Sequence, residues 1–90
     1  MTIENRYIII NEKGLHARAS AKLVETVERF NANALISKDD ISVSGDSIMG
    51  LLMLAASKGQ EINIITSGPE EKKLSQALTN LISNRFEEDL

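Results

Sequence analysis

The sequence contains no cysteine, which excludes a disulfide framework and any thiolate zinc site. A reducing compartment fits that absence, and a cytoplasmic location is expected. Proline is scarce, with one residue beside five glycines, and nothing in the composition is biased toward disorder or fibres. Long apolar runs are also missing. The longest, Leu51 to Ala56, falls far short of the ~20 residues that span a bilayer. Glu4 and Asn5 stand where a signal peptide would be basic and then apolar. A soluble protein without membrane insertion is therefore expected. An excess of basic charge is absent as well: the formal net charge is −3 and the Lys and Arg residues are scattered, so nucleic acid would be a poor partner. With one histidine and no cysteine, a metal centre and a conventional catalytic triad are both disfavoured.

What remains is a chain of 90 residues, 42% hydrophobic and 26% charged, the size of one compact domain covering residues 1–90. Such a chain buries only about 60–65% of its extended surface. Its core is modest, and its chemistry is expected on the surface.

The pattern along the chain alternates strands and helices. Tyr7–Ile10 is rich in β-branched residues and runs into the loop Asn11-Glu12-Lys13-Gly14, which predicts a strand ending in a turn. From Ala17 to Phe30, Ala17, Ala21, Val24 and Val27, flanked by Leu23 and Phe30, recur at helical spacing opposite Arg18, Lys22, Glu25 and Arg29. Ala34-Leu35-Ile36 and Ile41–Ser44, joined through Lys38, Asp39 and Asp40, predict a hairpin, with Ile41 and Val43 on one face of its second strand. Gly45-Asp46-Ser47 predicts the start of a short apolar helix that Gly59 would close. Ile62, Ile64 and Thr66 alternate as a fourth strand. Gly68-Pro69 would open the last helix with Pro at its first position, followed by the stripe Leu74, Ala77, Leu78, Leu81 and Ile82. The order βαββαβα predicts an α+β fold: a two-layer, open-faced β-sandwich with three helices on one face of a four-stranded, mainly antiparallel sheet. The acidic end Glu87-Glu88-Asp89 is expected to be a solvated terminus with no function.

His16 stands out by its place. It lies in Gly14-Leu15-His16-Ala17-Arg18-Ala19-Ser20, between a strand and the first turn of a helix. The first N–H groups of a helix lack intrahelical acceptors and carry the positive end of its dipole, so an anion is stabilised there. Neutral imidazole is a nucleophile near neutral pH. A phosphoryl group on its ring would meet the free N–H groups of Ala17 and Arg18, and the Arg18 side chain offers a planar fork of donors. From these residues alone, an ordinary surface histidine beside a turn is also compatible.

The segment Gly14-Leu15-His16-Ala17-Arg18 resembles the active-site segment of the HPr family, the histidine-containing phosphocarriers of the bacterial phosphoenolpyruvate-dependent phosphotransferase system. The resemblance extends through Ser47-Ile48-Met49-Gly50 and Ser67-Gly68-Pro69. It implies that His16 is phosphorylated by enzyme I through Nδ1, that Arg18 coordinates the phosphate, and that an enzyme IIA-type domain receives the group. It implies no cofactor and a monomeric carrier. Members of the family most often have Pro after that arginine, where this chain has Ala19. Ala19 and the run Leu51-Leu52-Met53-Leu54 are similar to members of the nitrogen-linked regulatory branch.

The helix after Ser47 is apolar nearly all round, a pattern that fits either a buried helix or an exposed docking patch. The resemblance assigns Ile48, Met49, Leu52 and Met53 to partner docking, and Leu51 and Leu54 to the core. Ser47 is expected to be the N-cap, accepting from the second or third helical N–H. The resemblance adds that HPr kinase/phosphorylase modifies the matching serine in some bacteria. Two rival readings differ in class. Asp46-Ser47-Ile48 is similar to the Asp-Ser-Leu site of acyl carrier proteins, but that fold is all helical, whereas Ile41–Ser44 and Glu61–Thr66 alternate with a period of two. A non-catalytic regulatory interaction domain of the same layout would predict that His16 is dispensable.

Overall fold

A computed structural model describes all residues from Met1 to Leu90. The elements are β1 (Thr2–Ile8), α1 (Ala17–Glu28), β2 (Asn33–Lys38), β3 (Ile41–Ser44), α2 (Ile48–Leu54), β4 (Glu61–Ser67), α3 (Glu71–Ser83) and a 3₁₀ turn, Arg85–Glu87. The expected βαββαβα order is present. The strands form one sheet in the order β1-β4-β2-β3, and all three pairings are antiparallel.

β4 sits inside the sheet because its alternation is the cleanest. Ile62, Ile64 and Thr66 point into the core, with 1%, 2% and 1% exposure, and the buried Thr66 hydroxyl donates to the Glu71 carbonyl. The helices cover this face with Leu23, Val24 and Val27 from α1, Leu51 and Leu54 from α2, and Leu74, Leu78 and Ile82 from α3, all within one cluster of 17 buried apolar side chains. The β2–β3 hairpin closes as expected at Asp39-Asp40, between the paired residues Lys38 and Ile41. Asp39 takes the left-handed conformation there (φ 55°), one that Asp tolerates better than most residues.

Several boundaries differ from the sequence reading, each for a local reason. The first strand is Thr2–Ile8 instead of Tyr7–Ile10. Its inner face meets α3 partly through polar pairs, Asn5 Nδ2 to Ser75 Oγ (3.0 Å) and Tyr7 OH with Thr79 Oγ1 (2.7 Å), so apolar alternation is missing from its first half. α2 ends at Leu54, where Ala55 turns left-handed (φ 50°), and not at Gly59, which lies in the turn before β4. Pro69 precedes the helix it was expected to open: α3 begins at Glu71 after the N-cap Glu70. Ala17, placed on the apolar stripe of α1, is exposed; Ala19, Ser20 and Thr26 are buried instead. Both hydroxyls are satisfied by backbone carbonyls, Ser20 by Leu15 and Thr26 by Lys22.

The C-terminal segment departs most from expectation. Arg85, Phe86 and Glu87 are all left-handed (φ 55°, 54° and 64°), and this turn drives Phe86 into the core at 0% exposure. Lys22 Nζ donates to the Phe86 carbonyl (2.9 Å) and pairs with Glu87 (3.1 Å). The Glu12 N–H donates to the Leu90 carbonyl (3.2 Å). The acidic end is thus pinned across the start of α1.

Candidate functional site

The chain leaving β1 is placed by backbone contacts. Ile9 continues the pairing through bonds with Gln60 and Gly59, after which Asn11 is fully buried. Gly14 is left-handed (φ 65°), and a Cβ there would come within 2.5 Å of the Ala56 carbonyl oxygen. That oxygen accepts the Leu15 N–H (2.8 Å), which ties the loop to the segment after α2. Glycine is required here for two reasons at once, conformation and close approach.

His16 follows as the N-cap residue of α1, in extended conformation (φ −82°, ψ −176°), with its side chain making no capping bond. Its carbonyl accepts the Ser20 N–H (2.8 Å). The N–H groups of Ala17, Arg18 and Ala19 therefore open the helix without intrahelical acceptors, and the first turn carries no acidic side chain to occupy them. The imidazole is partly exposed, with 26% of its side-chain surface open. Arg18 is exposed and shares a polar surface recess with Glu12, Lys13, Glu87, Glu88 and Asp89. Arg18 thus stands in the first turn of α1, two residues after His16, and lines the same recess as Glu88.

Two groups that the sequence reading missed complete the constellation. Glu88 Oε2 lies 2.6 Å from His16 Nε2. Asn11 Nδ2 donates to the other oxygen of that carboxylate (3.0 Å) and to the Gly14 carbonyl (2.8 Å). Both partners are acceptors, so the Asn11 amide must present its NH₂ to them. Its Oδ1 is left without a partner. Burial raises the Glu88 carboxyl, but the hydrogen bonds from Asn11 and His16, aided by the charges of His16 and Lys13, outweigh it and hold the group below its ordinary value. The one signal in the sequence was Phe86, a large apolar residue among the polar Asn84, Arg85, Glu87, Glu88 and Asp89.

Ser47 is the N-cap of α2 and its Oγ accepts the Gly50 N–H, the third of the helix, at 2.9 Å. Of the four expected docking residues, Ile48, Met49 and Met53 are exposed at 40%, 70% and 69%; Leu52 is half-buried. Leu51 and Leu54 are buried. The residues form an apolar patch on a helix that packs against α1. No group of His, Asp and Glu has the arrangement of a metal site, and no helix is long and apolar enough to cross a membrane.

Residues 3–84 match the family model described as PTS HPr component phosphorylation site. The chain is 45% identical over 87 residues to phosphocarrier protein HPr of Xylella fastidiosa (strain 9a5c), covering 97% of this chain and 98% of that one. It is 34% identical over 90 residues to phosphocarrier protein NPr of Escherichia coli (strain K12), covering 99% and 100%. The crystal structure of HPr from Thermoanaerobacter tengcongensis superposes with a TM-score of 0.93 at 35% identity, over 98% and 99% of the two chains. Sequence and fold agree, and the chain belongs to the HPr family of phosphotransferase-system phosphocarriers.

Proposed function

We propose that the chain accepts a phosphoryl group on His16 from phospho-enzyme I and passes it to an enzyme IIA-type domain. The observation that carries this reading is the placement of a partly exposed imidazole as N-cap of α1, with the free N–H groups of Ala17, Arg18 and Ala19 beside it. The Nδ1 lone pair attacks phosphorus as the donor's bond to phosphorus breaks. The phosphoryl oxygens take up the helix N–H groups and the Arg18 guanidinium. No cofactor or metal enters the step.

Docking is assigned to the apolar patch Ile48, Met49, Leu52 and Met53. Methionine side chains adapt to differently shaped surfaces, which suits a carrier that meets a donor and an acceptor in turn. Ser47 is the proposed point of regulation by HPr kinase/phosphorylase. A phosphate there adds about −1.5 to −2 charge beside Asp46 and at the edge of the patch, and weakens binding to acidic partners. The carrier is assigned to the cytoplasm, which the absence of cysteine suits, and is taken to act as a monomer. The acceptor domain decides between sugar transport and nitrogen regulation.

A relay assay tests the reading. With labelled phosphoenolpyruvate, enzyme I and an enzyme IIA-type acceptor, label is expected on the acceptor only when the wild-type chain is present. Label reaching the acceptor through His16→Ala would overturn it.

A further inference from the structure

The acidic tail is part of the site. We infer that Glu88, oriented by Asn11, is a positioning residue that holds the proton of His16 on Nε2 and so leaves Nδ1 as the nucleophile. The inference rests on the phosphocarrier reading of His16.

An ionised carboxylate only accepts hydrogen bonds, so an imidazole nitrogen 2.6 Å from Glu88 Oε2 must be the one that carries hydrogen. In the neutral ring the lone pair then lies on Nδ1. The arrangement is built rather than incidental, because each member is held by a further contact. Glu88 Oε1 is fixed by Asn11 Nδ2, and Asn11 is itself fully buried and anchored to Gly14. The segment carrying Glu88 is anchored by buried Phe86 and by Lys22. Only 12% of the Glu88 side-chain surface is open to solvent, so its charge acts on the ring with limited screening. The low proton affinity of the Glu88 carboxyl, set by these hydrogen bonds against burial, keeps it ionised at neutral pH.

The step balances without a further base. Nδ1 forms the new bond to phosphorus while the donor's bond to phosphorus breaks, and that electron pair stays with the donor. The ring gains positive charge as it is phosphorylated, its Nε2 proton stays in the hydrogen bond, and Glu88 stabilises that charge. Release to the acceptor reverses the sequence. The logic is that of a carboxylate that orients a catalytic imidazole and stabilises its cationic form.

Ring nitrogen chemical shifts of His16, read by long-range ¹H–¹⁵N NMR at alkaline pH where imidazole is neutral, report the tautomer before any phosphorylation. The wild type is expected to show a protonated Nε2 and a bare Nδ1. Glu88→Ala should show both nitrogens moving toward averaged values, and phosphorylation by phosphoenolpyruvate and enzyme I slowed about ten- to hundredfold, the scale of one charge-assisted hydrogen bond. Glu88→Gln keeps the size but has one carbonyl for two donors, and should also disturb the ring shifts; the circular dichroism spectrum serves as the control for folding. A bare Nε2 in the wild type overturns the inference. So do unchanged ring shifts and an unchanged rate in Glu88→Ala while His16 is labelled, and in that case the phosphocarrier reading stands. No label on His16 of the wild type overturns that reading and this inference together.

Discussion

A phosphoryl acceptor must be easy to load and easy to unload, and on the proposed reading the surroundings of His16 satisfy both demands. Donors for the phosphoryl oxygens are local: three helix N–H groups and Arg18. The wider recess is acidic, with Glu12, Glu87, Glu88 and Asp89 against Lys13 and Arg18, so no general positive field traps the anion. Arg18→Ala should slow phosphorylation of His16 about tenfold, the loss of roughly 1.4 kcal/mol of charge-assisted bonding. Rapid-quench kinetics would show it, and thermal unfolding should be nearly unchanged because the side chain is exposed. Ser47→Ala should behave in the opposite manner. It removes the cap on the Gly50 N–H and should cost about 1 kcal/mol in urea unfolding, with His16 still phosphorylated. These residues were legible in the sequence because their roles depend on neighbours within one or two turns. Glu88 was not legible: it meets His16 across 72 positions and Asn11 across 77, and a carboxylate in an acidic tail has no periodicity to mark its direction.

At the scale of elements, the loop between β1 and α1 and the link into α3 carry the tightest constraints. Gly14 and Gly59 both have positive φ, but a Cβ at Gly14 strikes the Ala56 carbonyl, whereas nothing lies within 4 Å at Gly59. Gly59→Ala should cost about 1 kcal/mol, the left-handed penalty alone. Gly14→Ala should cost clearly more and slow phosphorylation, since it moves the loop that holds His16. Equal costs in denaturant unfolding would contradict the close approach. At the start of α3, Glu70 Oε1 accepts the Asn31 N–H (2.7 Å) and the Glu70 N–H donates to the Asn31 carbonyl (3.1 Å). That backbone hydrogen bond, helped by Lys73 and opposed by burial, holds the Glu70 carboxyl below its ordinary value of 4.5. A carboxyl depressed in the folded state contributes stability above its unfolded pKa and loses it as pH falls through the folded value. The melting temperature of the wild type should therefore fall more steeply than that of Glu70→Gln as pH drops below about 4.5. Parallel curves would show that the bond contributes nothing.

At the scale of the whole molecule, three separate parts of the chain converge on one surface: the loop after β1, the first turn of α1 and the C-terminal tail, with the α2 patch tied in through Leu15 and Ala56. Element order, the hairpin and the helical face of the sheet were readable, because β2, β3, β4 and the helices carry clean periodicities. The position of β1 was not, since its inner face contains Asn5 and the apolar run Ile8-Ile9-Ile10 drew the strand's start five residues and its end two residues too late. The docked tail was hidden for a related reason: one buried Phe86 fixes a segment whose other residues are polar except for the exposed Leu90. The proposed function rests on that convergence more than on any single residue. The most direct test is the intact mass of the chain after incubation with phosphoenolpyruvate and enzyme I. One acid-labile phosphoryl group on the wild type and none on His16→Ala is the predicted result. An equal mass increase on His16→Ala would contradict the assignment of His16 as the phosphoryl acceptor.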